Sequence, residues 1–168
     1  MRFLVIIAVV LGLLLPGIIP AEAVAVSGPG FAGKPVIKAD KSRYDFETGL
    51  YELNGNVYIE WRGQKITAGQ ARASLGTMEI WGGDGVTFAL DDMFVKADSV
   101  RVISAQSRAL ISGGVVFTRG ELVISADKVE LNWDNKLARF DGNVKLAKGA
   151  ETRAADSLTY NIETNTWQ

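Results

Sequence analysis

The 168-residue chain contains no cysteine and no histidine. Without cysteine there is no disulfide framework, so the fold must stand on its apolar core. Without either residue, the commonest general base, the thiolate nucleophile and the usual zinc ligands are all missing. Carboxylate-only catalysis or an oxygen-ligated calcium site is what remains, and the chain reads as a non-enzyme that needs no cofactor. Proline is scarce, at 4 residues. No segment after residue 36 repeats its apolar residues every 3.6 positions, which removes helices from the expectation. An excess of one charge is lacking too: 18 basic residues face 19 acidic ones, for a net charge of −1. Nucleic acid, which calls for a strong positive field, is not an expected partner. What is abundant is apolar character, at 48%, and glycine, at 18 residues, as in one ordered domain.

Met1-Arg2 is a short positive start, and Phe3–Leu15 is an unbroken run of apolar residues and glycine before Pro16-Gly17. Ala21-Glu22-Ala23 and Ala23-Val24-Ala25 place small residues where a signal peptidase reads them. This layout predicts a cleavable secretory signal over 1–23. The competing reading is an uncleaved membrane anchor, but Phe3–Ile19 is short for a bilayer span and Pro16 breaks it. No cysteine follows the run, so lipoprotein anchoring is excluded. Residues 24–35, rich in Gly and Pro, read as a flexible leader, and 36–168 as the folded domain.

That domain repeats itself every 29 residues: Ile37–Ile59, Ile66–Phe88, Val95–Phe117 and Ile124–Leu146 share one outline. A fixed period is the signature of an array. Each unit opens on a β-branched residue and an alanine (Ile37/Ala39, Ile66/Ala68, Val95/Ala97, Ile124/Ala126), and Ala155 continues the series after Arg153. Asp40, Gly69, Asp98, Asp127 and Asp156 come next, then a second apolar set such as Val100/Val102 or Val129/Leu131. From Ala126 to Val129 is an odd step, which would turn the second set to the opposite face of a strand. A bulge or corner at the Ala-Asp position restores both sets to one side. The recurrent Asp reads first as a short polar side chain satisfying backbone amides at that bend, and second as a ligand array.

A short polar turn follows in each unit, for example Asp134-Asn135-Lys136, and then a cleanly alternating return strand. Midway along the return strands, where a large residue is due, stand Gly55, Asp84, Gly113 and Gly142. Links such as Arg62-Gly63-Gln64-Lys65 are too short for crossover helices, so the pairing is antiparallel. The expected fold is all-β: a long V-shaped or jelly-roll-like antiparallel sheet of about five 29-residue two-strand repeats, open at both ends, with one apolar trough. Gly82-Gly83-Asp84-Gly85 occurs once and reads as a turn, Asp91-Asp92 lies in a link, and Trp61, Trp81, Trp133 and Trp167 are core or rim.

The stretches IKADKSRYDF, ELNGNVYI, ISADKVEL and FDGNVKL, taken with the repeat that carries them, resemble the OstA-like / LptA family of periplasmic lipopolysaccharide transport proteins. The resemblance runs over roughly residues 36–162, with Ile66–Phe88 departing most through Gly69 and Asp84. It implies a periplasmic, twisted antiparallel β-jelly roll that carries lipopolysaccharide with its acyl chains inside. Its implied partners are LptC-like and LptD-like transport proteins joined through edge strands, together with head-to-tail copies of itself. The positions expected to line the trough are Val57, Ile59, Ile66, Val86, Phe88, Val95, Val115, Phe117, Ile124, Val144 and Leu146. Edge pairing is expected at Ile37, Ala39, Tyr160 and Ile162. The alternatives are an inner-membrane-anchored LptC-like subunit and a structural β-array with a solid core.

Overall fold

The computed structural model describes residues 36–61, 64–74, 77, 79–90 and 92–168. The signal and leader expected over 1–35 lie outside the described residues, as do Arg62, Gly63, Leu75, Gly76, Met78 and Asp91. Among the described residues there is no α-helix, and thirteen antiparallel strands form one sheet. Six long strands carry it: β3 (Leu50–Trp61), β4 (Gln64–Ser74), β9 (Arg108–Arg119), β10 (Leu122–Asn132), β11 (Leu137–Lys148) and β12 (Glu151–Asn161). The shorter ones are β1 (Val36–Lys38), β2 (Lys41–Asp45), β5 (Glu79–Gly83), β6 (Val86–Leu90), β7 (Met93–Ala97), β8 (Ser99–Ile103) and β13 (Thr166–Trp167).

Every long strand runs through two arms that meet at a bend. We name the arms upper and lower. The upper arm pairs β1-β3-β4-β6-β7-β9-β10-β11-β12 through the half of each long strand nearer the β3–β4, β9–β10 and β11–β12 turns. The lower arm pairs β2-β3-β4-β5-β8-β9-β10-β11-β12-β13 through the other half.

The bend falls where the Ala-Asp step predicts it. Pairing of β10 with β9 breaks between Ala126 and Lys128, so Asp127 alone stands opposite Gly113 and Gly114. A two-against-one insertion of this kind shifts the alternation, which is why Ile124, Ala126 and Val129 are all buried despite the odd step. The Asp98 N–H donates to the Gly113 carbonyl at 2.9 Å, and Asp40 N–H to Gly55 in the same way at 2.8 Å. The carboxylates have a different duty from the expected one. Those of Asp40 and Asp127 accept the side-chain amides of Asn56 and Asn143, at 2.9 and 2.8 Å, instead of capping backbone amides. Each such Asp packs directly over a glycine. A Cβ built on Gly113, whose φ is +84°, would overlap the Asp98 carboxylate.

The second unit solves the same contact in reverse. Gly69 lies on the first strand and Asp84 on the return, with the Gly69 N–H donating to the Asp84 carbonyl at 3.1 Å. A Cβ on Gly69 would overlap the Asp84 carboxylate, and Asp84 itself takes φ +61°, which Asp tolerates better than most residues. The departure at Ile66–Phe88 is therefore a compensated exchange, and the bend persists through it.

Candidate functional site: an apolar trough between the arms

Alternation aims every second side chain of both arms into the space between them. Five interior rows result. On the upper arm a rim row nearest the open side holds Met93, Arg119, Leu122 and Lys148, and the next runs Ile37, Ile59, Ile66, Phe88, Val95, Phe117, Ile124, Leu146 and Arg153 across successive strands. The row nearer the bend alternates Val57, Ala68, Val86, Ala97, Val115, Ala126, Val144 and Ala155. Opposite, the lower arm supplies an inner row of Leu53, Ala71, Gly82, Val100, Ile111, Val129, Phe140 and Leu158. Its outer row runs Tyr44, Tyr51, Ala73, Ile80, Val102, Ala109, Leu131, Ala138, Tyr160 and Trp167.

The two ends of these rows differ. In the C-terminal half the arms are shut on each other. Phe117 of the upper arm packs against Phe140 and Tyr160 of the lower arm, with ring centroids 5.9 and 5.4 Å apart. Val115, Ile124, Phe140 and Tyr160 are all 0% exposed. Arg119, at the free rim of the upper arm, reaches across the opening to the Tyr160 hydroxyl at 3.1 Å and the Ile162 carbonyl at 2.7 Å. It also binds the Asp92 carboxylate at 3.1 Å. These bonds, to Tyr160 first and then Asp92, hold the guanidinium more firmly charged than usual. Tyr160 completes the latch by donating to the Asn165 side-chain oxygen at 2.6 Å.

The N-terminal half is built from smaller interior groups. Its lower-arm inner row contains Ala71 and Gly82 where the C-terminal half has Ile111, Val129 and Phe140. Close to the bend the arms still touch: a Cβ on Gly82 would stand 3.5 Å from Val86 and 3.9 Å from Ala68 of the other arm. Towards the open side they do not close, and Ile59, Ile66, Phe88 and Val95 above and Tyr51, Ile80 and Val102 below are only half-buried. Tyr51 is buried enough to push its phenol upward from the ordinary value.

Of the eleven positions expected to line the trough, Val57, Val86, Val115, Phe117, Ile124, Val144 and Leu146 are buried, and Ile59, Ile66, Phe88 and Val95 are the half-buried set. All eleven face the interior. The edge expectation needs correcting at one end. Tyr160 pairs with Trp167 of β13, the Ile162 N–H donates to Lys136, and the Thr159 N–H to Gln168, so their backbone is already engaged. Among the described residues, the stretch of β12 without a further strand beside it is 151–157, and all seven residues are exposed. At the other end β1 and β2 pair only with β3 among the described residues, which leaves Ile37 and Ala39 beside an unpaired edge. Trp81 is neither core nor interior rim; it lies on the outer face of the lower arm beneath the Arg101 guanidinium. A cleft of about 600 Å³ on that outer face is lined mostly by polar side chains, among them Glu130, Asn132, Arg139, Asp141 and Thr159.

Comparison with known proteins agrees with this architecture. Residues 94–136, from β7 to the turn after β10, match the family described as LptA/(LptD N-terminal domain) LPS transport protein. Among solved structures, the chain is similar to LptH, described as the LptA-homologous periplasmic component of the lipopolysaccharide transport device of Pseudomonas aeruginosa. The TM-score is 0.59 at 9% identity, covering 72% of this chain and 93% of that one. No curated protein matches the chain. The resemblance carried by the repeat residues and the match over 94–136 converge on one LptA-like family, and the similarity to LptH identifies the fold as its β-jelly roll.

Proposed function

We propose that the protein is a periplasmic lipopolysaccharide-binding bridge that shelters acyl chains in the trough between its arms. The observation that carries this reading is the unbroken apolar lining, which is self-filled in one half and left part-exposed in the other. Hydrocarbon burial is worth about 0.8 kcal/mol per methylene, so a multi-acyl lipid cannot cross water unsheltered. A protein that shelters it needs apolar wall and no catalytic group, and the trough is wall of that kind. Acyl chains enter at Ile59, Ile66, Phe88 and Val95. They reach Phe117 and Leu146 only when the Arg119 latch and the Phe117–Phe140–Tyr160 contact give way. The open edges, at β1–β2 and at 151–157 of β12, receive strands from LptC-like and LptD-like partners or from further copies.

One observation favours a structural reading for part of the molecule. The C-terminal half is packed like a solid core, and in the bridge it stays shut for as long as the Arg119 latch holds. A photo-crosslinker at Phe88 of the exported protein, offered lipopolysaccharide, is expected to capture it, and one at the outward-facing Lys145 is expected not to. Capture at Lys145 with none at Phe88 contradicts lipid carriage in the trough.

A further inference from the structure

We propose that residues 151–157 of β12 receive a strand of a partner protein that bends at glycine followed by asparagine or glycine, with the first glycine beneath Asp156. This rests on the edge pairing of the proposed function and is independent of what the trough carries. Inside the sheet, each bend joins an aspartate on one strand to a glycine on the next. Asp40 lies over Gly55, Asp98 over Gly113 and Asp127 over Gly142, while Gly69 meets Asp84 in reverse. The fifth member of the series, Asp156, has no such partner. Its carboxylate lies over no glycine and makes no hydrogen bond or ion pair among the described residues. Ala155 beside it is exposed, whereas Ala68, Ala97 and Ala126 of the same row are buried.

The internal contacts specify the incoming strand. Gly55, Gly113 and Gly142 take φ of +74°, +84° and +79°, and each is followed by a second left-handed residue, Asn56, Gly114 or Asn143. A Cβ on the first of each pair would overlap the aspartate, so that position is glycine. Asparagine suits the second because it tolerates left-handed backbone. Its amide also donates to the same carboxylate, from Asn56 to Asp40 at 2.9 Å and from Asn143 to Asp127 at 2.8 Å. The register is set as well. Trp167 stands opposite Tyr160 as Ala138 stands opposite Leu131, so β13 lies on β12 as the start of β11 lies on β10. A strand laid along 151–157 in that register brings its glycine to Asp156.

A second copy does not supply this strand from its described free edges. Residues 36–45 at one edge and 151–157 at the other contain no glycine. Eight antiparallel pairings separate β1 from β12, so the two run the same way. A copy stacked in continuation of the sheet would set one aspartate-bearing strand parallel to another, with no glycine between them. A partner strand that bends at Gly-Asn or Gly-Gly satisfies the open backbone and the idle carboxylate together. Backbone pairing supplies affinity, and the glycine supplies selectivity.

The test uses the full chain and two dye-labelled peptides: FDGNVKLAK, the sequence of Phe140–Lys148, and the same peptide with Gly142→Asp. Fluorescence anisotropy is expected to show the glycine peptide bound about tenfold or more tighter than the aspartate peptide. Asp156→Gly in the full chain should abolish that preference, because no carboxylate remains for the peptide's aspartate to meet. The substitution breaks no side-chain contact within the chain, so a lost preference is not a lost fold. The same preference on both chains overturns the inference and leaves edge pairing standing. Binding of neither peptide overturns edge pairing as well, while lipid carriage is judged separately by the crosslink at Phe88. Self-association of the chain that the glycine peptide displaces assigns the edge to a second copy and overturns the partner assignment.

Discussion

The two halves of the trough are built on one repeat and one bend, yet they end in different states. From β9 to β12 the interior rows carry Phe117, Phe140, Leu158 and Tyr160, and the arms close on their own side chains. From β3 to β6 the buried set shrinks to Val57, Ala68, Ala71 and Val86, and the outer rows stay part-exposed. The backbone plan fixes which way side chains face; residue volume decides whether the interior is solid or available. A duct can be tuned along its length in this way without altering a single strand pairing.

The sharpest way to break this comparison is to truncate one phenyl ring in each half. Phe140→Ala removes a ring with 0% exposure and should cost about 3–5 kcal/mol in chemical denaturation. Phe88→Ala removes a half-buried ring and should cost about 1–2 kcal/mol. Equal losses would mean the halves are equally packed.

The bend offers a comparison between units. Gly113→Asp sets a second carboxylate against Asp98 and should destabilise by about 2–4 kcal/mol. Adding Asp98→Gly recreates the arrangement at Gly69/Asp84 and should recover most of the loss, a coupling of about 2 kcal/mol in a double-mutant cycle. Simple additivity would mean the exchange in the second unit is not compensatory.

The latch comes next in size. Arg119→Ala removes charge-assisted bonds to Tyr160, Ile162 and Asp92 and should cost about 1.5–3 kcal/mol. Hydrogen exchange should quicken at β9 and β12 and stay unchanged at β3 and β4. The smallest effect belongs to the exposed surface: Arg43→Ala breaks the pair with Glu52 and should leave the denaturation midpoint nearly unchanged, with any shift vanishing at high salt.

Much of this was legible in the residues. The odd step from Ala126 to Val129 located the bend, and the alternation assigned the interior face of all eleven trough positions. The exchange of Gly69 and Asp84 was legible too, since each Asp–Gly pair keeps one spacing, but only once the two positions are known to touch. The difference between the halves was written in Ala71 and Gly82 against Ile111, Val129 and Phe140. Periodicity ignores volume and passed over it. The latch had no local signal: Arg119 and Tyr160 are 41 residues apart, and nothing in the period links a rim arginine to a tyrosine across the opening. Tyr160 was expected at an open edge because its strand is the last long one; β13 turns back and covers it.

The most direct measurement of the central claim is cysteine protection in this cysteine-free chain. Phe88→Cys and Leu146→Cys, made separately, are treated with a water-soluble maleimide with and without lipopolysaccharide. The account predicts fast labelling at position 88 that lipopolysaccharide suppresses, and slow labelling at position 146 in both conditions. Labelling at 146 as fast as at 88, or no protection at 88 by lipopolysaccharide, would contradict it.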